Sequence, residues 1–186
     1  AAQGTVTLNN STYGNNLDGI VLQGGTLALN NSTVSGNTAT NSFSPGVIYT
    51  DTNSWGSVTL RLTNSIVAGN NSPTNVFGPF SGANNLIAGD PLLAPLGNYG
   101  GPTQTMPPLS GSPAIDAGLD SVTSFLTTDQ RGQPRLLGAH ADLGAVEGAL
   151  NPAIPLGNPV KLGNGAIQFS FVNLSGLGYK IGRAHV

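Results

Sequence analysis

Short runs in which apolar and polar residues alternate recur through the first half of the chain. They are Val6-Thr7-Leu8, Leu27-Ala28-Leu29 and Val58-Thr59-Leu60-Arg61-Leu62. Alternation with a period of two predicts strands that bury one face. Each run leads into similar text: LNNSTYGNN from Leu8, LNNSTVSGN from Leu29 and LTNSIVAGN from Leu62. Ser11, Ser32 and Ser65 are equivalent positions, 21 and then 33 residues apart. Further apolar runs, Gly19 to Leu22 and Val47 to Tyr49, lie between the repeats, and a weaker fourth unit centres on Asn85-Leu86-Ile87.

A repeat of this length with two or three short strands per unit predicts an all-β fold: the last coils of a right-handed parallel β-helix over residues 1–87. The longer second interval places an inserted loop between Asn37 and Trp55. Stacked coils bring equivalent side chains to about 4.8 Å from one another. Residues 1–85 hold 15 Asn but only Asp18, Asp51 and Arg61 as charged residues. Stacked charges repel and stacked amides do not, so Asn10, Asn31 and Asn64 are expected to form an amide ladder.

After residue 87 the periodicity stops. Pro and Gly dominate Gly89 to Pro113, and residues 112–147 carry seven of the 14 charged residues. A solenoid needs a polar end, so residues 88–148 are expected to form an irregular C-terminal cap. Residues 149–163 read as a linker. Residues 164–180 read as the first strands of a truncated β-sandwich, beginning with the alternating run Ala166 to Val172.

Charge narrows the partners. A net charge of −2, without a Lys/Arg cluster, argues against nucleic acid. No apolar run approaches the roughly 18 residues of a transmembrane helix. The absence of Cys excludes disulfides and thiolate metal sites.

The polar constellation with most character is Asp129-Gln130-Arg131-Gly132 together with Arg135, Asp142 and Glu147. Arg131 is expected to fork between carboxylates such as Asp129, Asp142 or Glu147 and so tie the cap together. Two chemical alternatives stand beside this structural network. A pair among Asp116, Asp129, Asp142 and Glu147 is of the type that cleaves glycosidic bonds. Asp116, Asp120, Asp129 and Asp142 are of the type that binds Ca²⁺, although no EF-hand loop or Ca²⁺-binding nonapeptide repeat is present. No metal site and no cofactor is otherwise expected. His140 has no nucleophile in a recognisable context and reads as a loop residue. The Asn-x-Ser/Thr matches at Asn9, Asn10, Asn30, Asn31 and Asn70 read as turn or ladder positions that recur with the coil, more than as glycan acceptors.

The segment DPLLAPLGNYGGPTQTMPPLSGSPAIDAG, followed by TDQRGQPR and DLGAVE, resembles the choice-of-anchor Q domain over residues 85–147. Val146 stands where that family has an aromatic, and Thr105 to Pro108 stand where it has a residue such as His or Tyr. The resemblance implies a bacterial surface or secreted protein with a parallel β-helix, and no established reaction. Asn164 to Lys180 is similar to the start of a terminal β-sandwich. Residues 181–186 match the in-frame translation of a short-read sequencing adapter, which makes Arg183 and His185 artefacts under this reading. The expected function is a non-catalytic structural or adhesive stalk, monomeric and extracellular, that contacts a polysaccharide or cell-surface glycan through Tyr13, Tyr49, Trp55 or Tyr99. The alternative is the end of a carbohydrate-active β-helix enzyme, of the lyase or hydrolase type, whose catalytic coils lie upstream.

Overall fold

The computed structural model describes residues 4–39, 46–51 and 56–149, together with strand residues 160–161 and 167–168. Residues 1–151 form one compact unit and 152–186 a second. Trp55, the sequence motifs after Gln168 and residues 181–186 lie outside the described residues.

The first unit is all-β and its sheets are parallel. Ten short strands run β1 (Thr5–Asn9), β2 (Thr12–Gly14), β3 (Ile20–Leu22), β4 (Gly25–Asn30), β5 (Thr33–Ser35), β6 (Gly46–Thr50), β7 (Val58–Thr63), β8 (Ile66–Val67), β9 (Thr74–Phe77) and β10 (Ser81–Ala83). They pair into three sheets, ordered β1-β4-β7-β10, β2-β5-β8 and β3-β6-β9. The chain therefore visits the three sheets in rotation and returns to the first at every third strand. We call each pass a round.

Register follows the repeat. Leu8 pairs with Leu29 and Leu29 with Leu62, while Tyr13, Val34 and Val67 align in the second sheet. The fourth unit read from the sequence opens another round, with Ala83 beside Thr63 and Leu86 bridged to Ile66. Extra length in the second round falls on both sides of β6, in residues 36–45 and 51–57. The corresponding connections in the first round are only 15–19 and 23–24.

Alternation in β4 is complete: Gly25, Leu27 and Leu29 are buried while Thr26, Ala28 and Asn30 are partly exposed. The inward residues of all three sheets meet in one core of Leu27, Leu29, Val34, Val47, Ile48, Leu60, Leu62 and Val67. Each such buried aliphatic side chain contributes on the order of 2 kcal/mol. One of these leucines truncated to alanine would cost more, because close neighbours leave a cavity.

Asn10, Asn31, Asn64 and Asn84 occupy the turn from the first sheet toward the second. All four adopt positive φ, from 44° to 52°. Asn tolerates this left-handed conformation where β-branched residues do not. The recurring Asn is thus first a backbone requirement of the corner.

Residues 88–148 contain little regular structure beyond isolated bridges and a 3-10 turn at Asp120–Ser124 that buries Val122. This 3-10 turn is the outcome for the short run around Ser121 to Leu126. The segment was expected to cap the last coil. Its contacts instead run along the flank and reach every round, from Asn84 back to Asn10. A second core of Ile66, Ala68, Ala114 and Leu143 joins it to the second sheet.

In the other unit, Val160–Lys161 and Ile167–Gln168 form a short antiparallel pair. Val160 and Lys161 fall within the stretch read from the sequence as linker.

Candidate functional site

The polar network of the flanking segment is built around Asp129. Its carboxylate accepts N–H groups from Arg131, Gln133 and Glu147 at 2.8, 3.0 and 3.0 Å. Arg131 adds Nε at 2.9 Å and Nη2 at 2.8 Å. A buried carboxylate accepting this many donors orders the chain around it. Arg131 does not fork to a second carboxylate as expected. Its Nη2 donates to the main-chain oxygen of Glu147 at 2.6 Å.

The fully buried cation is Arg135, 1% exposed. Nη1 donates to the Gly144 carbonyl at 3.1 Å, and Nη2 donates to the Ala145 carbonyl at 2.9 Å and to Asn10 Oδ1 at 2.8 Å. Glu147 Oε2 lies 3.6 Å from Nη1, an ion pair too long to be a hydrogen bond. Burial lowers the Arg135 pKa, and the nearby Glu147, Asp129 and Asp142 oppose that shift.

Asp142 and Glu147 direct their oxygens at backbone. Asp142 accepts Asp116 N–H and Gly148 N–H, each at 2.7 Å. Glu147 accepts Leu137 N–H at 3.2 Å and Asp142 N–H at 2.9 Å. Burial pushes the Glu147 carboxyl up to about 7, and the adjacent Asp142 charge adds to the rise. Burial likewise raises Asp142.

The Asn corner faces this network. Asn10 Nδ2 donates to the Thr128 carbonyl at 2.6 Å, and Asn31 Nδ2 to the Asp142 carbonyl at 3.3 Å. Asn64 makes both amide bonds to Leu119, accepting its N–H at 2.9 Å and donating to its carbonyl at 3.0 Å. Asn84 donates to the Ala117 carbonyl at 3.1 Å. Thr12 and Thr33, just after the corner, bond Gln130 and the Ala145 N–H. Asn10, Asn31 and Asn64 therefore do not bond one another. The expected ladder is corrected: the left-handed corner aims these amides sideways at the flanking segment.

Amide stacking occurs elsewhere. Asn16 Nδ2 donates to Asn37 Oδ1 at 2.9 Å, and Asn37 Nδ2 to Asn70 Oδ1 at 3.0 Å. Backbone N–H groups of Asn16 and Asn37 reach the same acceptors. These residues follow Ser11, Ser32 and Ser65 by a constant five positions, a signal present in the repeat. The serines stack as well: Ser11 N–H donates to Ser32 Oγ and Ser32 N–H to Ser65 Oγ. A further amide pair joins Asn30 Nδ2 to Asn9 Oδ1. The formal glycan acceptors Asn9, Asn10, Asn30, Asn31 and Asn70 are all engaged in such contacts.

The four aspartates considered for Ca²⁺ do not converge. Among the described residues no group of three or more His, Cys, Asp or Glu could hold a metal ion. Asp116 accepts the His140 N–H, and Asp120 accepts the Ala141 N–H. The exposed His140 ring lies 3.0 Å from Asp120, whose carboxylate raises the His140 pKa, and the same bond lowers that of Asp120.

Of the aromatics considered for sugar stacking, Tyr13 packs on the core and donates to the Asp18 carbonyl. Tyr49 rests against Phe77 with ring centres 5.7 Å apart, and Tyr99 donates to the Pro95 carbonyl. No helix among the described residues is long and apolar enough to cross a membrane.

Comparison of the chain with protein-family models, curated proteins and solved structures finds no match in any of the three.

Proposed function

We propose that the rotating parallel sheets are coils of a right-handed parallel β-helix and that the chain is a non-catalytic structural or adhesive element of a secreted or surface protein. One observation carries this reading. The carboxylates of Asp129, Asp142 and Glu147 bond backbone N–H groups, so the charged cluster serves to bind the flanking segment together. A catalytic pair would instead present its oxygens across a substrate groove. The flanking segment is also where the chain resembles the choice-of-anchor Q domain, which supports an extracellular setting and a stalk role. Under this reading the coils form a rigid monomeric support, and Tyr49 with Phe77 is the aromatic surface offered to a glycan.

The test is a glycan-array screen of the purified chain, run beside assays for release of reducing or unsaturated sugars from the bound polysaccharides. Binding without turnover is the expected result. Turnover abolished by Glu147→Gln or Asp129→Asn in folded protein would overturn it.

A further inference from the structure

Two buried atoms where the flanking segment meets the corner have no hydrogen-bond partner in the protein, Arg135 Nε and Asn31 Oδ1. One is a donor and the other an acceptor. Their side chains stand against the same stretch of chain. Arg135 donates to the Gly144 and Ala145 carbonyls, and Asn31 Nδ2 donates to the Asp142 carbonyl. Ala145 N–H bonds Thr33, two residues after Asn31. Arg135 Nη2 also reaches Asn10, the corner residue one round before Asn31, and Asn10 N–H donates to the Asn30 carbonyl at 3.1 Å. Asn31 is 0% exposed and Arg135 1%, so bulk solvent reaches neither. An unmet N–H on a buried guanidinium is among the costlier polar defects.

Neither side chain can turn to satisfy itself. Bonds from both Nη atoms to Gly144, Ala145 and Asn10 fix the plane of the guanidinium, and with it the direction of Nε–H. Asn31 is held in the left-handed corner at φ 44°, with its N–H on the Thr63 carbonyl at 2.9 Å. Turning its amide over would set Oδ1 against the Asp142 carbonyl, acceptor against acceptor. The corner residues on either side have solved the same problem with donors from the flanking segment. Asn10 Oδ1 takes Arg135 Nη2, and Asn64 Oδ1 takes the Leu119 N–H. Asn31 lies between them with its acceptor left over.

We infer that a single buried water molecule is bound between Arg135 and Asn31, accepting the Nε–H and donating to Oδ1. The two atoms ask for one small ligand that accepts on one side and donates on the other. A halide or phosphate would accept from Nε but would meet the lone pairs of Oδ1. A metal or ammonium ion would suit Oδ1 but would face the guanidinium charge. Water meets both demands, and buried waters hold about two to four such partners. The bridge ties the flanking segment to the second round, as the direct Arg135–Asn10 bond ties it to the first.

The inference rests on the contacts of the flanking segment and is independent of any glycan role. The test is a high-resolution crystal structure of the chain, with a second crystal soaked in bromide. The expected result is one density peak about 2.7–3.2 Å from both Nε and Oδ1, without anomalous signal from the soak. A direct Nε–Oδ1 bond, a peak that touches only one of the two atoms, or no peak overturns the inference. An anomalous bromide peak overturns it as well, because the ligand is then an anion. Nuclear magnetic resonance gives the same decision in solution, through cross-relaxation between water and the Arg135 Nε–H. The expected cross peak has the sign of a water that stays bound for longer than the protein takes to tumble. The exposed Arg61 Nε–H supplies the contrast, with the opposite sign of rapid exchange. An Arg135 Nε–H that shows no cross peak to water, or one like that of Arg61, sinks the proposal.

Discussion

Arg135 Nη2 donates to Asn10 Oδ1 at 2.8 Å, across 125 residues of sequence. The bond joins the most buried cation of the flanking segment to the corner of the first round. Asn10 returns the contact by donating to Thr128, so the pair is held from both sides. Arg135→Met removes the cation but leaves Glu147 buried and Asn10 Oδ1 unpaired. The expected loss is about 3–5 kcal/mol. Asn10→Ala should cost about 2 kcal/mol, and the double variant should show a coupling on the order of 1–3 kcal/mol in chemical denaturation.

Stability should depend on pH through Glu147. Its folded pKa of about 7 lies above the ordinary 4.5, so the folded state holds a proton that the unfolded state has released. That contribution is complete below pH 4.5 and is lost as pH rises through 7. Asp142, raised in the same direction, adds to the trend. Between pH 5 and pH 8 the melting temperature should fall, by the equivalent of up to about 3 kcal/mol. Glu147→Gln should flatten the profile across this window, and a profile unchanged by the substitution would contradict the assignment.

The amide stack should matter more than the exposed Asn9–Asn30 pair. Asn37 is fully buried and bonds Asn16, Asn70, Tyr13 and Ser35. Asn37→Leu leaves the Tyr13 and Ser35 carbonyls and the Asn70 amide oxygen without their donor and should cost about 3 kcal/mol or more. Asn9→Ala, at an exposed pair, should cost less than about 1 kcal/mol. Urea titrations of the two variants give the comparison directly.

Gly82 in β10 marks a place where no side chain fits. Its φ is +117°, and a Cβ there would overlap the Leu62 carbonyl oxygen. Gly82→Ala should therefore detach β10 from β7 and cost about 3 kcal/mol or more. Faster amide exchange confined to Ala83 and its neighbours would mark the local opening.

The strands were legible because alternation and repetition point the same way. Leu8, Leu29 and Leu62 align in sequence, and they align again in the sheet. The corner asparagines were equally visible, but spacing carries no direction. Only the left-handed backbone shows that Asn10, Asn31 and Asn64 turn outward while Asn16, Asn37 and Asn70 stack. The charged motif was legible as a network, yet sequence order favoured Arg131 as its centre. Arg135 took the buried position because its chain passes beneath the corner. A polar, irregular segment satisfies equally well an end or a flank, so the lateral placement of residues 88–148 was not readable in advance.

The lateral segment also fixes an order of events. Its residues leave the ribosome after every strand of the three sheets. Until their partners emerge, Asn64 must hold its left-handed corner with water in place of Leu119, Asn10 with water in place of Thr128 and Arg135, and Asn31 with water in place of Asp142. Contacts spanning this much sequence close slowly, because the intervening chain must first be confined. Folding should thus end with a late fastening step, and the same step taken in reverse should be what a protease or a pulling force meets first.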